Sequence, residues 1–209
     1  MSSARPLGRV ILATRNEHKV GELREILAEV CAELDVEIVG LNAYPEVPDV
    51  VEDGVTFAQN AELKALAAAR ATGIPALADD SGLAVDVLGG APGIFSARWS
   101  GRHGDDRANL QLLLDQLSDV PDAHRGAAFV CAAVLALPDG RTVVEEGRFE
   151  GMLSREPHGS NGFGYDPILL VAGDTRTSAE LSAAEKNARS HRGKAFRAMA
   201  PHLRQWLAR

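Results

Sequence analysis

A hydroxyl, an amide and an ammonium group recur at short spacing near the start of the chain. Thr14, Asn16 and Lys19 follow a short apolar run and precede apolar residues at helical spacing, which predicts a strand-to-helix turn. The free N–H groups and positive dipole end of a helix N-terminus attract anions, and a nearby lysine adds to this. The cluster indicates a phosphate cradle, although an ordinary helix cap with a solvated lysine would use the same residues.

A second cluster is acidic. Asp79, Asp80 and Ser81 follow a predicted strand over 74–78, and Glu52 stands in an acidic loop upstream. Adjacent strand side chains point to opposite faces, so the two aspartates would not share a ligand, whereas one of them can meet Glu52. Carboxylates suit Mg²⁺, whose remaining ligands are waters and phosphate oxygens. The alternative is an aspartate cap at a turn.

Glycines flank an aromatic residue in a third cluster. Gly162 and Gly164 stand on either side of Phe163 in a predicted loop over 159–166. The glycines allow a flat ligand to approach the backbone, and the ring offers a stacking face, as a nucleobase requires. A plain glycine loop with a core phenylalanine is the alternative.

A fourth cluster is basic. Lys186, His191 and Arg192 follow a capping box at Ser182, on a helix that is predicted to break near Gly193. Such side chains could read a base edge or bind an anion. When this cluster is taken alone, a solvated basic turn is the commoner explanation.

Composition limits the partners. The chain has 209 residues, with 22 Lys and Arg against 29 Asp and Glu, hence a formal charge of −7. This balance argues against a nucleic-acid polymer as partner. The longest apolar run, 127–137, is too short for a bilayer, and no signal peptide is recognisable. We expect a cytoplasmic protein with no membrane partner, in which Cys31 and Cys131 are reduced core residues.

Alternating strands and helices must position these clusters. Helices are predicted over 20–34, 56–71, 106–117, 182–193 and 196–207, and strands over 10–13, 36–41, 74–78, 129–137, 142–149 and 168–171. This order predicts an α/β fold in which a long curved mixed sheet, flanked by helices, is shared by two lobes.

Five motifs, in order, resemble those of the inosine triphosphate pyrophosphatase family. They are LATRNEHK at 12–19, TFAQNAELKA at 56–65, ADDSGL at 78–83, GFGYDP at 162–167 and SHRG at 190–193. The resemblance implies a homodimeric, Mg²⁺-dependent enzyme that hydrolyses ITP, dITP and XTP to the monophosphate and pyrophosphate, removing deaminated purines from the nucleotide pool. It also implies one domain over 1–209, with residues 1–8 flexible and the ligand cleft between the lobes.

The resemblance implies a role for each motif residue. The residues that would contact the triphosphate are Thr14, Arg15, Asn16, Glu17, His18, Lys19, Lys64 and Lys186. Glu52 and Asp80 would bind the metal, Asp80 would also be the general base, and Ser81 would contact the substrate. The residues that would hold the base are Phe163, Gly164, Tyr165, Asp166, His191 and Arg192.

Selectivity has a physical basis at the six-position of the purine, where hypoxanthine and xanthine present an acceptor and adenine a donor. Donors from His191, Arg192 or backbone N–H groups would reject adenine, because a buried mismatched pair costs about 1–3 kcal/mol per group. Two other functions remain open: a pyrophosphatase that prefers a modified pyrimidine or methylated nucleotide, and a nucleotide-sensing module without catalysis.

Overall fold

The computed structural model describes residues 8–208, apart from the side chain of His18, so residues 1–7 of the segment expected to be flexible lie outside it. The helices are α1 (Glu17–Ile26), α2 (Ala28–Leu34), α3 (Phe57–Thr72), α4 (Asp106–Gln116), α5 (Ala183–Arg189) and α6 (His191–Leu207). The strands are β1 (Gly8–Leu12), β2 (Val36–Gly40), β3 (Ala76–Val85), β4 (Gly126–Ala136), β5 (Thr142–Leu153) and β6 (Leu169–Val171).

The strands form one mixed sheet in the order β2-β1-β3-β4-β5-β6. β1 runs parallel to both of its neighbours, with Val10 opposite Ile38 of β2 and Ile11 opposite Ala76 of β3. β5 and β6 are antiparallel. Parallel neighbours need a crossover, which α1 and α2 supply between β1 and β2. The predicted α/β class with a mixed sheet is confirmed.

The chain separates into two compact units. Unit 1 comprises the described residues up to Asp80, Ala132–Glu146 and those from Ala195 onward; unit 2 comprises Ser81–Cys131 and Gly147–Lys194. β3, β4 and β5 each begin in one unit and end in the other, so neither unit is a continuous stretch of chain. The ligand cleft between lobes and the single-domain organisation stay predictions.

Unit 1 is built on an alanine-rich helix. Thr56 caps α3 by accepting a hydrogen bond from the Gln59 N–H at 3.1 Å, and Gly73 ends the helix at a φ of 69°. The buried face of α3 consists mainly of small side chains, Ala61, Ala65, Ala68 and Ala69, which pack with Ile11, Leu41 and Val134. Small side chains allow the helix to lie close to the sheet, which keeps the residues on its remaining faces in fixed positions.

A buried arginine joins separate elements of unit 2. Arg125 is 1% exposed, and its guanidinium donates to the carbonyl oxygens of Leu117 at 2.6 Å, Leu153 at 2.9 Å and Ser154 at 2.9 Å. Leu117 caps the C-terminus of α4, where carbonyl groups lack helical partners. One side chain thus satisfies three buried acceptors and ties α4 to the end of β5.

The bounds of three predicted elements differ in the structure. β3 continues through Asp79 and Asp80 instead of ending before them, because both carboxylates have partners in unit 1, as described below. The predicted helix over 20–34 is two helices that meet at Leu27. The last break falls at Ser190 rather than Gly193, because the Ser190 hydroxyl accepts from the Gly193 N–H at 3.0 Å and caps α6.

Two expectations from composition can be compared with the structure. Cys31 and Cys131 are free thiols, as predicted, although only Cys131 is fully buried. Over residues 8–208, the structure has no helix of the length and hydropathy needed to cross a membrane.

We predict that Arg125→Met lowers the free energy of unfolding by at least about 3 kcal/mol, because three buried carbonyl groups lose their donor. Chemical denaturation measures this. Arg155→Met is the matched control, since the exposed Arg155 guanidinium donates to the Ser118 and Val120 carbonyls at 3.1 and 3.2 Å. The control should lose less than about 1 kcal/mol, and an equal loss for both variants would contradict the proposed role of Arg125.

Candidate active site

A cavity of about 310 Å³ in unit 1 brings the first two polar clusters together. Its charged lining consists of three cations, Arg15, Lys19 and Lys64, and three anions, Asp49, Glu52 and Asp79. Counted formally, three positive charges stand against three negative charges. The lining therefore combines strong local charges with no net charge.

The start of α1 forms one wall of this cavity. The Thr14 hydroxyl accepts a hydrogen bond from the Asn16 N–H at 3.2 Å, and the Asn16 side-chain oxygen accepts one from the Lys19 N–H at 3.3 Å. These bonds cap the helix in the manner expected of an asparagine before the first turn. The cradle and the helix cap are thus the same structure: the cap fixes a helix N-terminus beside the cavity.

Arg15 holds the chain that follows β2. Its guanidinium donates to the carbonyl oxygens of Leu41 at 3.1 Å and Val47 at 2.6 Å, and it pairs with Asp49 at 3.3 Å. The side chain therefore braces the segment that leads to the acidic loop. The predicted triphosphate contact of Arg15 stays a prediction.

Glu17 and His18 occupy the first turn of α1. The Glu17 carboxylate accepts a hydrogen bond from the Asn42 amide, so it also faces the segment after β2. The side chain of His18 lies outside the described part of the structure, and the predicted triphosphate contacts of both residues remain untested.

Lys19 extends from α1 to β3. Its ammonium lies 3.3 Å from both carboxylate oxygens of Asp79, whose side chain is only 2% exposed. A buried carboxylate needs such a partner, because desolvation penalises an isolated charge. Asp79 was not among the predicted site residues, although its pairing accounts for the position of the Lys19 ammonium in the cavity.

Lys64 brings the two predicted metal ligands together. Its ammonium lies 3.1 Å from a Glu52 oxygen and 3.7 Å from Asp80 Oδ1, with the three side chains 17%, 40% and 18% exposed. Because both carboxylates reach the same cation, they lie near one point despite their separation in sequence. Asp79 and Asp80 therefore have different partners, as the alternation of a strand predicts.

Sequence reasoning assigned no role to Asn60. Its amide nitrogen donates to Asp80 Oδ2 at 3.1 Å and its amide oxygen accepts from the Gly54 N–H at 2.9 Å. The spacing contained a signal: Asn60 and Lys64 are four residues apart on α3, and such residues share one face of a helix.

The glycine-rich loop of unit 2 is organised around a buried carboxylate. Asp166, 2% exposed, accepts hydrogen bonds from the Phe163 N–H at 2.9 Å, the Ser178 hydroxyl at 2.8 Å and the Lys186 ammonium at 2.6 Å. The Phe163 ring is 67% exposed, and the Lys186 ammonium lies 5.4 Å from its centroid. The loop therefore presents an exposed aromatic ring that has a cation over one of its faces.

Tyr165 is directed into the core rather than to the surface. It is 4% exposed, and its hydroxyl donates to the Ser96 carbonyl oxygen at 2.9 Å. Burial, and secondarily the negative charge of Asp106, raises the pKa of the Tyr165 hydroxyl above its ordinary value. Asp106 also accepts a hydrogen bond from the Gly164 N–H at 2.9 Å, so α4 fixes the loop from a second side.

Two residues of the basic cluster, His191 and Arg192, lie at the start of α6, whereas Lys186 lies on α5. The ring of His191 stacks on Phe129, with 5.3 Å between centroids and 21° between planes. Arg192 is 5% exposed and donates to the Ser81 hydroxyl over a long 3.4 Å. The structure thus brings Arg192 and Ser81 together and orients the imidazole by stacking.

The mixed sheet and the cavity that combines lysines, carboxylates and a helix N-terminus define an α/β protein with a charged candidate ligand site in unit 1. The chain belongs to the Ham1 family, whose sequence model matches residues 10–202.

Named relatives cover nearly the whole chain. A protein of Streptomyces avermitilis named dITP/XTP pyrophosphatase is 68% identical over 95% of this chain and 98% of its own length. The structure of a HAM1 protein from Coxiella burnetii has a TM-score of 0.87 and 40% identity, covering 95% of this chain and 100% of that one. A Mycobacterium abscessus nucleoside-triphosphatase, also titled dITP/XTP pyrophosphatase, has a TM-score of 0.78 and 52% identity, covering 92% and 99%.

We predict that Gly162→Ala destabilises unit 2 more than Gly164→Ala, by about 2 kcal/mol. Both glycines have positive φ, 77° and 59°, so backbone strain is shared by the two variants. Only at Gly162 would an added Cβ clash with Asp166 Oδ2 and displace the carboxylate that organises the loop. Equal unfolding free energies in chemical denaturation would contradict this role.

Proposed function

We propose that this chain hydrolyses non-standard purine nucleoside triphosphates, namely ITP, dITP and XTP, to the nucleoside monophosphate and pyrophosphate. The observation that carries the proposal is the contact of one ammonium, that of Lys64, with the carboxylates of Glu52 and Asp80. Lys64 and Glu52 line the cavity beside a helix N-terminus, and Asp80 adjoins it through Lys64, so a cation suited to phosphate and two hard oxygen ligands lie together. The relatives' printed names support the choice of substrate.

The residues present fit Mg²⁺ as cofactor. Within residues 8–208 there is no cluster of three or more His, Cys, Asp or Glu residues placed to hold a metal ion. A pair of carboxylates is nevertheless what Mg²⁺ uses when water and phosphate oxygens complete its shell. Glu52 and Asp80 would hold the ion, and when bound it would neutralise phosphate charge and lower the pKa of a coordinated water.

The absence of net charge in the cavity lining is a second argument for a Mg²⁺ cofactor. The cations and anions of the cavity balance, so the walls alone provide little net attraction for a polyanionic triphosphate. A divalent cation makes the combined field positive. We infer that productive substrate binding requires Mg²⁺ in addition to Lys19 and Lys64.

The reaction needs a water molecule, a proton acceptor and a stabilised leaving group. Asp80 takes the proton of the water while the water oxygen bonds to the α-phosphorus and the α–β bridging P–O bond breaks. Lys19 and Lys64 hold the phosphate oxygens and offset the charge that develops on the departing pyrophosphate. The capped N-terminus of α1 adds backbone N–H donors.

Unit 2 would bind the base. The exposed Phe163 ring provides a stacking face, and Lys186 lies beside it. His191 and Arg192 would donate to the acceptor at the six-position of hypoxanthine or xanthine. The Asp166 carboxylate accepts a hydrogen bond from the Phe163 N–H and holds the loop in place before the base binds. Base binding therefore does not incur the entropic cost of ordering the ring.

Assembly and location follow from the family resemblance alone. We propose a homodimer that acts in the cytoplasm, where it would remove deaminated purines before polymerases use them.

A panel of triphosphates tests the function, with pyrophosphate release measured with and without Mg²⁺. We expect ITP, dITP and XTP to be cleaved at least about 100-fold more efficiently than ATP, because a donor site rejects the six-amino group. EDTA should abolish turnover. Preferred cleavage of a modified pyrimidine or methylated nucleotide would redirect the proposal, and ITP that is bound with Mg²⁺ yet recovered intact would indicate a sensing module.

We predict that Asp80→Asn lowers kcat for ITP by about 10²- to 10⁴-fold, because an amide cannot accept the proton of the water. Nucleotide binding measured without Mg²⁺ should change by no more than a few-fold in equilibrium titration. Asp49→Asn is the matched control: it removes the same charge from the cavity lining, but its side chain is 91% exposed and pairs with Arg15. Parental turnover by Asp80→Asn would remove Asp80 from the mechanism.

A further inference from the structure

We propose that Asn60 is a positioning residue that fixes the Asp80 carboxylate and ties it to the loop carrying Glu52. This inference rests on the proposed function, because it concerns the same carboxylates. Asn60 lies in the first turns of α3 and is 2% exposed. A buried amide of this kind must have both its donor and its acceptor groups satisfied, and its partners show what it does.

The orientation of the Asn60 amide is determined by chemistry. A backbone N–H can only donate, so the amide oxygen must face the N–H of Gly54, at 2.9 Å. An ionised carboxylate can only accept, so the amide nitrogen must face Asp80 Oδ2, at 3.1 Å. Asparagine supplies a donor and an acceptor at this reach without a charge. Aspartate would place a second anion against Asp80.

Asp80 is held at both carboxylate oxygens. Oδ1 lies 3.7 Å from the Lys64 ammonium, and Oδ2 accepts from Asn60. The two donors are not equivalent, because a lysine has a long flexible stem whereas an asparagine amide is held close to its helix. When Lys64 moves to a phosphate oxygen, Asn60 still fixes the plane of the carboxylate.

The same amide determines where the acidic loop runs. Gly54 is two residues after Glu52, and a Cβ at Gly54 would lie 2.7 Å from the Asn60 amide oxygen. The loop backbone therefore lies against Asn60 as closely as a glycine permits. By contacting Gly54 and Asp80 together, Asn60 limits the movement of one carboxylate relative to the other.

The first test is Asn60→Asp, which has nearly the same shape and keeps an acceptor for the Gly54 N–H but loses the donor to Asp80 and adds a negative charge that Asn60→Ala does not add. We expect kcat for ITP with Mg²⁺ to fall about 10- to 100-fold, as for the loss of a hydrogen bond to a charged group. KM should stay within about three-fold, which is the pattern expected when an interaction acts on the chemical step. Binding of the product IMP, measured by calorimetry without turnover, should stay within the same limit.

Two further variants separate positioning from stability. Asn60→Ala removes the donor without adding a charge and should show the same fall in kcat with unchanged IMP binding, once a folded protein is confirmed by circular dichroism. Gln59→Ala is the matched control, since its exposed amide accepts the neighbouring Val55 N–H at 2.8 Å. The control loses a loop hydrogen bond of similar length and should keep the parental kcat.

The outcomes distinguish failure of the positioning role of Asn60 from failure of the proposed function. If the parental chain cleaves ITP and Asn60→Asp retains its kcat, or if Gln59→Ala loses as much, the inference about Asn60 is wrong and the proposed function stands. If kcat and IMP binding of Asn60→Asp fall together, Asn60 shapes the cavity generally and the positioning role is wrong. A parental chain that releases no pyrophosphate from any triphosphate overturns the proposed function itself.

Discussion

The contact of one lysine with two carboxylates is the constraint on which the unit 1 cavity depends. Glu52 and Asp80 repel each other, and bringing them together requires a cation within a few ångströms. The Lys64 ammonium meets that requirement because α3 packs tightly through its alanine face and presents Lys64 toward β3. The proposed metal site and the proposed phosphate site are therefore one electrostatic arrangement, in which lysine and a divalent cation would be alternative partners for the same carboxylates.

The two clusters are built on different physical principles. In unit 1 the charged groups are balanced against one another and, apart from the buried Asp79, are partly exposed, so they could exchange partners when a ligand binds. In unit 2 the exposed ring of Phe163 depends on a buried carboxylate, Asp166, whose hydrogen bonds are all internal. The first arrangement favours the exchange of ion-pair partners, and the second favours a rigid stacking surface. Both suit what the proposed substrate offers at its two ends.

Sequence reasoning predicted Lys19, Glu52 and Asp80 from polar clusters at element ends, and Lys64 from the family resemblance. The structure brings Lys64, Glu52 and Asp80 into contact and places Lys19 in the lining of the same cavity as Lys64 and Glu52, while their functional roles stay predictions. The partners of buried groups were missed: no local pattern shows that Asp79 lies beside Lys19, sixty residues away. The extension of β3 through an Asp-Asp-Ser-Gly sequence, which is typical of a turn, also depends on those distant partners. Local propensity was overridden there by tertiary pairing.

The course of β3 has a consequence for how such a chain can vary in evolution. Because side chains alternate along a strand, inserting or deleting one residue before Asp79 would reverse every face from that point onward. Asp80 would then face Lys19, and Ser81 would turn away from Arg192. Loops elsewhere in the fold can change length without such an effect. We therefore expect evolution to tolerate no insertion or deletion within residues 76–81, even where the neighbouring loops change in length.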